Sequence, residues 1–289
     1  MAKTRHAVQL VSALAAEPAG APAERRHGEA ETGGAAPGRP MVAPFARALA
    51  LLGVFTPRDR LLGNRELAAR TMLPPSTVTR IAQSLVQLGY LHYESGERKY
   101  RLAVSVLALG YGAIANSDVQ RAARVHMQAF ANEHKVHVSL SARDRLDLIV
   151  LESCSSPQAL VSLNVHVGAR VGMASSPMGW ALLAALPELE RYYLMENVER
   201  RMPREWPRLR RRSSEAIAQV YQMGFCSSLG EWDHALGIVA APLVSEGQAP
   251  LALACVGASS QMTRQRVERE LGPKMLALAT AIQQEGDEE

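Results

Sequence analysis

The chain has 289 residues, of which 47% are hydrophobic and 5% aromatic, with a formal net charge of +4. This length allows one or two domains with buried cores, and no apolar run approaches the roughly 18–20 residues of a bilayer-spanning helix. The three cysteines are widely spaced without a CxxC pair, so they indicate neither a disulfide framework nor a zinc finger and are consistent with a reducing cytoplasm.

The positive charge is concentrated in one segment of the chain. Residues 41–103 hold nine Lys and Arg against four Asp and Glu, whereas residues 104–289 hold 18 against 20. Because a local excess of positive charge attracts polyanions, the segment 41–103 is a candidate for binding nucleic acid.

Residues 1–40 differ in composition from the rest, with 11 Ala, 5 Gly and 4 Pro. Such a stretch buries too little apolar surface to offset its chain entropy, which predicts a disordered tail. One alternative is a signal peptide, because Lys3 and Arg5 precede the apolar residues 7–16. Another is that translation starts at Met41.

Residues 44–103 have the pattern of three helices and a β-hairpin. The first helix contains Phe45, Leu49, Leu52 and Val54 and ends near Pro57, and the second covers residues 65–72 with Asn64 as N-cap. The third covers residues 76–88, with Gly89 at its end and an apolar stripe of Val78, Ile81, Ala82, Leu85 and Leu88. The hairpin pairs residues 91–93 with 99–102 around Gly96. This order is typical of a winged helix–turn–helix domain.

The third helix and the hairpin carry side chains suited to duplex DNA. Arg can bind guanine through two hydrogen bonds, Gln can bind adenine, and Ser and Thr reach phosphates and base edges. The candidate DNA contacts are Ser76, Thr77, Thr79, Arg80, Gln83, Ser84, Arg98, Lys99 and Arg101. In one alternative, Ser76 and Thr77 cap the helix instead. In another, the segment is a small domain with a solvated polar face.

A linker helix at residues 104–115 leads into a second region in which helices and strands alternate. Helices are predicted at 119–133, 178–186, 188–196, 214–223 and 267–284, and strands at 136–141, 148–152, 159–167, 237–244 and 251–256. The arginine-rich residues 200–212 are interpreted as a solvated loop, or alternatively as a second contact with DNA, polymerase or an anionic ligand. The fold class is therefore α+β, a sheet flanked by helices as in sensor domains.

Signatures of catalysis are missing from the sequence. It has no GxSxG, no HExxH and no glycine-rich phosphate loop, so it predicts no enzyme and no cofactor. Metal-capable side chains occur at Glu231, Asp233 and His234 and at His134 and His137. We interpret these as solvated groups, with a bound metal ion as the alternative.

Several motifs in both regions match those of a known family. In the first region they are Glu66-Leu67-Ala68, Leu73-Pro74-Pro75-Ser76-Thr77-Val78-Thr79-Arg80, Leu88-Gly89-Tyr90-Leu91 and Tyr100-Arg101-Leu102. In the second they are Val167-Gly168-Ala169-Arg170, Ser176, Gly179, Ala181-Leu182-Leu183-Ala184, Gly224-Phe225 through Glu231, and Val239-Ala240-Ala241-Pro242-Leu243. On these motifs, residues 41–285 resemble the IclR family of bacterial transcriptional regulators.

The resemblance implies three parts: a winged helix–turn–helix DNA-binding domain at 41–103, a linker helix at 104–117, and a GAF-like effector-binding domain at 118–286. It also implies a homodimer, or a homotetramer built as a dimer of dimers, bound to a pseudo-palindromic operator. Two-fold symmetry of protein and operator is also what helix–turn–helix geometry leads one to expect.

The resemblance further implies an effector pocket. By position its candidate contacts are Met173, Ala174, Ser175, Ser176, Trp180, Glu231, Ile238 and Cys255. For Met173, Ile238 and Cys255, ordinary core packing is the alternative, and for Glu231 it is an exposed loop position.

The chain departs from the family's pattern at this pocket. Ile238 stands where a Cys is common, Gly172 and Ser176 where Pro and Thr are frequent, and Ala254 and Val256 where small polar residues are frequent. Trp180 replaces a commonly basic or small residue. The polar groups for a small carboxylate are therefore fewer, which favours an apolar or aromatic ligand, with a degenerate pocket as the alternative.

Together these observations predict a cytoplasmic transcription regulator that binds DNA and responds to a small organic acid, with no membrane partner. Two alternatives remain open. One is a DNA-binding protein that needs no effector. The other is a small-molecule enzyme that carries a DNA-binding domain.

Overall fold

The computed structural model describes residues 43–56, 59–114, 118–161, 163, 165–231, 234–245 and 247–288. The predicted tail and the first two residues of the predicted DNA-binding domain lie outside this range. The described chain divides into two compact units, one ending with the helix at 105–114 and the other beginning with the helix at 118–134. None of the described helices is long and apolar enough to cross a membrane.

The first unit packs three helices against a small antiparallel sheet. Its elements are α1 (Ala43–Leu52), β1 (Leu62–Gly63), α2 (Asn64–Thr71), α3 (Pro75–Gln87), β2 (Leu91–Glu94), β3 (Lys99–Leu102) and α4 (Ser105–Ile114). The strand order is β1-β3-β2, so β1 adds an edge strand to the predicted hairpin. The winged helix–turn–helix fold predicted from the element order is confirmed.

Helix α2 begins one residue earlier than predicted, because Gly63 and not Asn64 is its N-cap. The N–H of Gly63 donates to Oε2 of Glu66 at 2.7 Å, which supplies the capping interaction. The amide of Asn64 instead donates to the carbonyl oxygen of Pro75 at 3.2 Å, so the start of α2 is tied to the start of α3.

Helix α3 begins at Pro75 with Pro74 as N-cap and no side-chain capping bond. The alternative in which Ser76 and Thr77 cap the helix is therefore wrong; proline already fits the first helical turn without a donor. Val78 is fully buried, as the predicted stripe requires.

Not every apolar position of these helices faces the core. Leu51 of α1 is buried, but Phe45 and Leu49 are 72% and 67% exposed. Leu88, expected on the inward stripe of α3, is exposed because the helix ends at Gln87 and Gly89 turns the chain with a φ of 79°.

The second unit is a six-stranded antiparallel sheet between two layers of helices, with strand order β6-β5-β4-β9-β8-β7. Its elements are α5 (Asp118–His134), β4 (His137–Asp144), β5 (Asp147–Ser155), β6 (Arg170–Gly172), α6 (Pro177–Ala185), α7 (Glu188–Arg201), α8 (Trp206–Met223), β7 (Cys226–Leu229), β8 (Leu236–Leu243), β9 (Leu251–Ala258), α9 (Arg264–Arg266), a π-helical turn (Val267–Leu271) and α10 (Gly272–Glu288).

The two faces of this sheet are buried by different helices. Strand residues such as Val150, Ile238 and Ala254 share a core with α6 and α8. Their neighbours along the strands, such as Val239 and Cys255, share a core with α5 and α10. The alternation follows from the two-residue period of a strand, which sends successive side chains to opposite faces.

Two predictions for this unit are wrong. The described residues of 159–167 form no strand; Val165 is buried without strand pairing, and β6 at 170–172 completes the sheet instead. The arginine-rich residues 200–212 are not a loop, because they end α7 and form the first two turns of α8. One face of α8 buries Leu209 and Ala216, which leaves most of its arginines on the outside.

Candidate functional sites

The outer face of α3 carries two long side chains that are free to bind a ligand. Arg80 and Gln83 are exposed, and the side chain of neither forms a hydrogen bond or ion pair with another described residue. Ser76 and Ser84 are exposed and Thr77 and Thr79 half-buried around them.

Two hydroxyl groups on α3 have their donors in use. Oγ1 of Thr79 donates to the carbonyl oxygen of Pro75 at 2.9 Å, and Oγ of Ser84 donates to that of Arg80 at 3.0 Å. Each hydroxyl retains only its acceptor lone pairs for a partner. Arg80 and Gln83 are therefore the strongest candidates of this helix for reading base edges.

The three basic residues of the hairpin differ in their surroundings. Arg98 is exposed, has a left-handed φ of 54° and has no partner among the described residues. Lys99 lies 3.7 Å from Glu66, and Arg101 lies 2.6 Å from Glu94. Both pairs are open to solvent and contribute little to stability, so a phosphate can replace either carboxylate.

One candidate of the first unit is not evident from the sequence pattern alone. Arg65 is exposed in the first turn of α2 and has no partner in the described part of the chain. In helix–turn–helix proteins the helix before the recognition helix crosses the DNA backbone. The sequence already predicts that Arg65 lies in the first turn of the second helix, and this position is the signal by which it could have been identified as a candidate DNA contact.

Most of the candidate effector residues lie together on the α6 side of the sheet. Met173, Ala174, Trp180 and Ile238 are buried there, as is Ser176, which caps α6. Cys255 is not among them: it pairs with Val239 and faces α5 and α10 on the opposite side of the sheet.

The loop before α6 is held closely against the helix. Oγ of Ser176 accepts a hydrogen bond from the N–H of Gly179 at 3.1 Å and donates to the carbonyl oxygen of Gly172 at 2.8 Å. A Cβ atom on Gly179 would lie 1.9 Å from the carbonyl oxygen of Met173, so only glycine fits where the loop crosses the helix.

Trp180 connects this loop to α8. Its Nε1 donates to the carbonyl oxygen of Ala174 at 2.7 Å, and the guanidinium of Arg212 lies 4.5 Å from its ring centroid. Arg212 also pairs with Glu231 at 2.5 Å and donates to the carbonyl oxygen of Ser227 at 2.8 Å. Ser175 is half-buried and Glu231 is exposed. A cation is therefore placed over the indole by another helix, from a residue that the sequence pattern had placed in a loop.

A surface pocket of about 240 Å³ lies beside Arg212. Its wall combines three carboxylates, two guanidinium groups, polar groups and apolar side chains. It is lined by Arg212, Glu215, Gln219, Met223, Ser227, Leu229, Glu231, Arg264, Val267 and Glu268. Its carboxylates and guanidinium groups are already matched in ion pairs, so the pocket carries no uncompensated charge to select a ligand.

Buried polar groups on the α6 side of the sheet were also missed. Nε2 of His137 lies 3.2 Å from Oγ of Ser153, and burial lowers the pKa of His137 to about 4, so its ring is neutral at pH 7. The hydroxyls of Ser141 and Ser228 are buried and have no hydrogen-bond partner among the described residues. Their strand partners, Ala252 and Ile238, belong to the core under α6. An unmade buried hydrogen bond costs about 1–3 kcal/mol, so both are groups that a bound molecule would satisfy.

The remaining reactive groups do not assemble into a site. Burial raises the pKa of Cys226 and of Cys255 to about 12, so both are thiols at pH 7, and burial also raises the pKa of Cys154. His134 contacts Glu270 of the π-helical turn, whereas His137 contacts Ser153 of β5. The described residues contain no group of three metal-capable side chains, and Trp232 and Asp233 lie outside them.

Comparisons with known proteins agree for both units. The model of the IclR helix-turn-helix domain matches residues 45–95, and that of the bacterial transcriptional regulator IclR C-terminal domain matches residues 111–284. The HTH-type transcriptional regulator TsaQ1/TsaQ2 of Comamonas testosteroni is 30% identical over 250 residues, which are 86% of this chain and 90% of that protein.

Solved structures show the same fold. An IclR family transcriptional regulator from Brucella abortus has a TM-score of 0.73 and 34% identity, covering 87% of this chain and 95% of that one. An IclR homolog complexed with 4-hydroxybenzoate, from Microbacterium hydrocarbonoxydans, has a TM-score of 0.65 and 23% identity, covering 85% of this chain and 100% of that one.

Proposed function

The chain belongs to the IclR family of bacterial transcriptional regulators, and we propose that it binds its operator through α3 and the β2–β3 hairpin under the control of a small organic acid. The DNA-binding domain spans residues 41–103, the linker helix 104–117 and the effector-binding domain 118–286. The observation that supports the operator contact best is the pair of free side chains on α3, Arg80 and Gln83.

Arg80 tests this contact. If it binds a guanine through two hydrogen bonds, Arg80→Ala should lower affinity for the operator by about 10-fold or more, since one such pair contributes about 1–3 kcal/mol of discrimination. Affinity for unrelated duplex should fall much less. The operator is selected from random duplexes with the wild-type chain, and both affinities are measured by fluorescence anisotropy.

Arg269→Ala is a matched control, because Arg269 is an exposed arginine of the second unit. It should change neither affinity. Equal losses of specific and non-specific affinity for Arg80→Ala would instead make Arg80 a phosphate contact.

The effector is a small aromatic acid held between the sheet and α6. Three features support this: the indole of Trp180 lies in that core, the hydroxyls of Ser141 and Ser228 have no partner there in the part of the chain that the structure describes, and Arg212 places a cation beside the indole. The homolog that binds 4-hydroxybenzoate shares the fold. The carboxylate would displace the exposed carboxylate of Glu231 from Arg212, or bind to the buried hydroxyls, and the ring would replace apolar contacts.

A thermal-shift screen of aromatic and aliphatic acids, including 4-hydroxybenzoate, tests the effector. A ligand that binds the folded chain should raise Tm with concentration and should be recovered unaltered, which excludes turnover. Ser228→Ala should reduce the shift, whereas Ser214→Ala, at an exposed position of α8, should not. A screen without any shift would favour the regulator that needs no effector.

The chain acts as a dimer through its first unit. Phe45 and Leu49 project from α1, and Leu107 and Leu109 of α4 are also exposed, so two apolar helix surfaces of this unit have no partner in the described residues. A second copy of the unit is the partner that a two-fold operator requires. An effector then regulates by binding one dimer arrangement more tightly than the other.

A further inference from the structure

One strand of the second unit presents polar side chains to the core under α6. His137, Ser139 and Ser141 alternate along β4 with Val138 and Leu140, which face α5 and α10. The three polar residues therefore lie on the α6 side of the sheet, where they are 4%, 0% and 0% exposed. Three successive polar positions are unusual inside a core, because each buried polar group needs a hydrogen-bond partner.

The two serines of this strand are poorly supplied with partners. Oγ of Ser139 donates to Sδ of Met178 at 3.8 Å, and a thioether is only a weak acceptor. The hydroxyl of Ser141 has no hydrogen-bond partner in the part of the chain that the structure describes. A ligand that brings one hydroxyl or carbonyl group to this strand would therefore make hydrogen bonds that the free protein lacks.

The side chains around the two serines are small or adaptable. Ser141 pairs with Ala252 of β9 and Ser139 pairs with Ala254, so methyl groups lie beside both hydroxyls. Met178 of α6 packs on Ser139, and a methionine side chain is unbranched and adopts different shapes at little energetic cost. A small ring can therefore be accommodated here by movement of Met178.

The charges on this face of β4 are already matched or absent. Arg143, the next residue on the same face, reaches the surface and pairs with Glu190 of α7 at 2.7 Å. His137 is neutral at pH 7, because burial lowers its pKa to about 4. Burying a carboxylate without a cation is far less favourable than burying a hydroxyl, so this part of the core suits an uncharged ligand.

Ser141 is also too far from Ser228 for one small acid to reach both hydroxyls. The strands β9 and β8 lie between β4 and β7, so the two serines are about 14 Å apart across the sheet. Ser141 is in line with Ala252 of β9, whereas Ser228, through Ile238, is in line with Val256, which adds about 13 Å along the strands. A single-ring acid is shorter than either distance.

We propose that Ser139 and Ser141 form a second binding site on the α6 side of the sheet, for a small neutral molecule with an apolar ring and one hydroxyl or carbonyl group. On the function proposed above, the acid occupies the other end of the core, beside Trp180, Arg212 and Ser228. The two ligands then bind at the same time and do not compete.

Phenol and toluene test this site, because they share a ring and differ in the hydroxyl group. Their affinities for the full chain are measured at pH 7 by ligand-observed NMR titration. Ser141→Ala should weaken phenol binding about fivefold, the effect of one hydrogen bond, and leave toluene binding unchanged. Ser228→Ala is the matched control, since it removes a buried hydroxyl at the other end of the same core and should leave phenol binding unchanged.

The melting temperature of the free variants separates binding from folding. Ser141→Ala replaces an unsatisfied buried hydroxyl with hydrogen, so its Tm should not fall. A lower Tm together with weaker toluene binding would show that Ser141 only supports the core, and would overturn the proposal. An equal loss of phenol affinity in Ser141→Ala and Ser228→Ala would overturn it as well.

Competition with the acid distinguishes this site from the proposed effector site. Phenol should bind equally well to the free chain and to the chain saturated with an acid that raises Tm in the screen. Displacement of phenol by that acid would place both ligands in one pocket and overturn the proposal. If no acid raises Tm, the proposed effector fails, while the effect of Ser141→Ala on phenol binding still decides whether the second site exists.

Discussion

Trp180 shows how one buried side chain connects separate elements. Its indole N–H donates to the carbonyl oxygen of Ala174. The guanidinium of Arg212 lies over the ring and also binds Glu231. The indole therefore joins the loop before α6, α8 and the end of β7 into one local structure.

Trp180→Phe removes the N–H and leaves the carbonyl oxygen of Ala174 buried without a donor. We expect the free energy of unfolding to fall by about 1–3 kcal/mol, the usual effect of an unsatisfied buried group. Urea denaturation of the wild type and the variant measures the change. Trp206→Phe is the control, since no hydrogen bond joins the half-buried Trp206 indole to any described residue. An equal loss in the two variants would mean that packing, and not the hydrogen bond, accounts for the effect.

His137 makes stability depend on pH. Burial lowers its pKa to about 4 in the folded chain, whereas in the unfolded chain it is about 6.5. Between these values the unfolded state binds more protons, so the free energy of unfolding falls as pH falls, by about 2 kcal/mol between pH 7 and pH 5.

His137→Gln should remove this part of the pH dependence, measured by urea denaturation at the two pH values. His134, whose pKa is also lowered mainly by burial, acts in the same direction and should leave a smaller residual dependence. A variant with the pH dependence of the wild type would show that the pKa of His137 does not differ between the folded and the unfolded chain.

At the scale of elements, local patterns predict the first unit well. The stripe in α3 and the turn around Gly96 depend on residues close in sequence, and the structure has both within a residue or two. In the second unit, the predicted helix at 178–186 agrees with α6 to within a residue at either end, although α6 is buried on nearly every side and has no apolar period. The elements of the first unit need only a local period and a stop signal to be recognised.

The errors occur where a distant partner decides the structure. Residues 159–167 have a strand-like composition, but a segment forms a strand only if a neighbouring strand is available for pairing. The edge of β5 pairs with β6 instead. The start of α8 was hidden by arginines and Pro207, although proline is tolerated in the first turn and Leu209, Ser213, Ala216 and Val220 already have helical spacing.

The candidate effector site was predictable only in part for the same reason. Family motifs led to the loop before α6 and to Ile238, but the sequence does not reveal the register between β8 and β9. The structure pairs Ile238 with Val256, which places Cys255 on the other face. A register shift in the pairing of β4 with β5, at Leu140–Ser141, changes which face the β5 residues take: Cys154 shares a core with α5 and α10, whereas Val150 shares one with α6, and this change was equally hidden.

At the scale of the whole molecule, charge and apolar surface are divided between the two units. The positive excess lies in the segment of α3 and the hairpin, and the region after residue 103 is slightly acidic. Each unit also carries an exposed apolar helix face, on α1 in one and on α7 in the other. This division of charge agrees with DNA attachment through the first unit and with the proposed binding of an effector by the second.

The salt dependence of DNA binding tests this division of charge. Each cation that neutralises a phosphate releases counterions, so removing one such cation should make the slope of log K against log salt shallower by about 0.9. Arg98→Gln and Lys99→Gln should each produce this change on operator and on unrelated duplex alike, measured by anisotropy between 50 and about 200 mM salt. The double variant Arg210→Gln/Arg211→Gln, in exposed positions of α8, is the matched control and should leave the slope unchanged. A shallower slope in that control would establish a second DNA-binding surface at α8, and an unchanged slope in Arg98→Gln would exclude the hairpin from the interface.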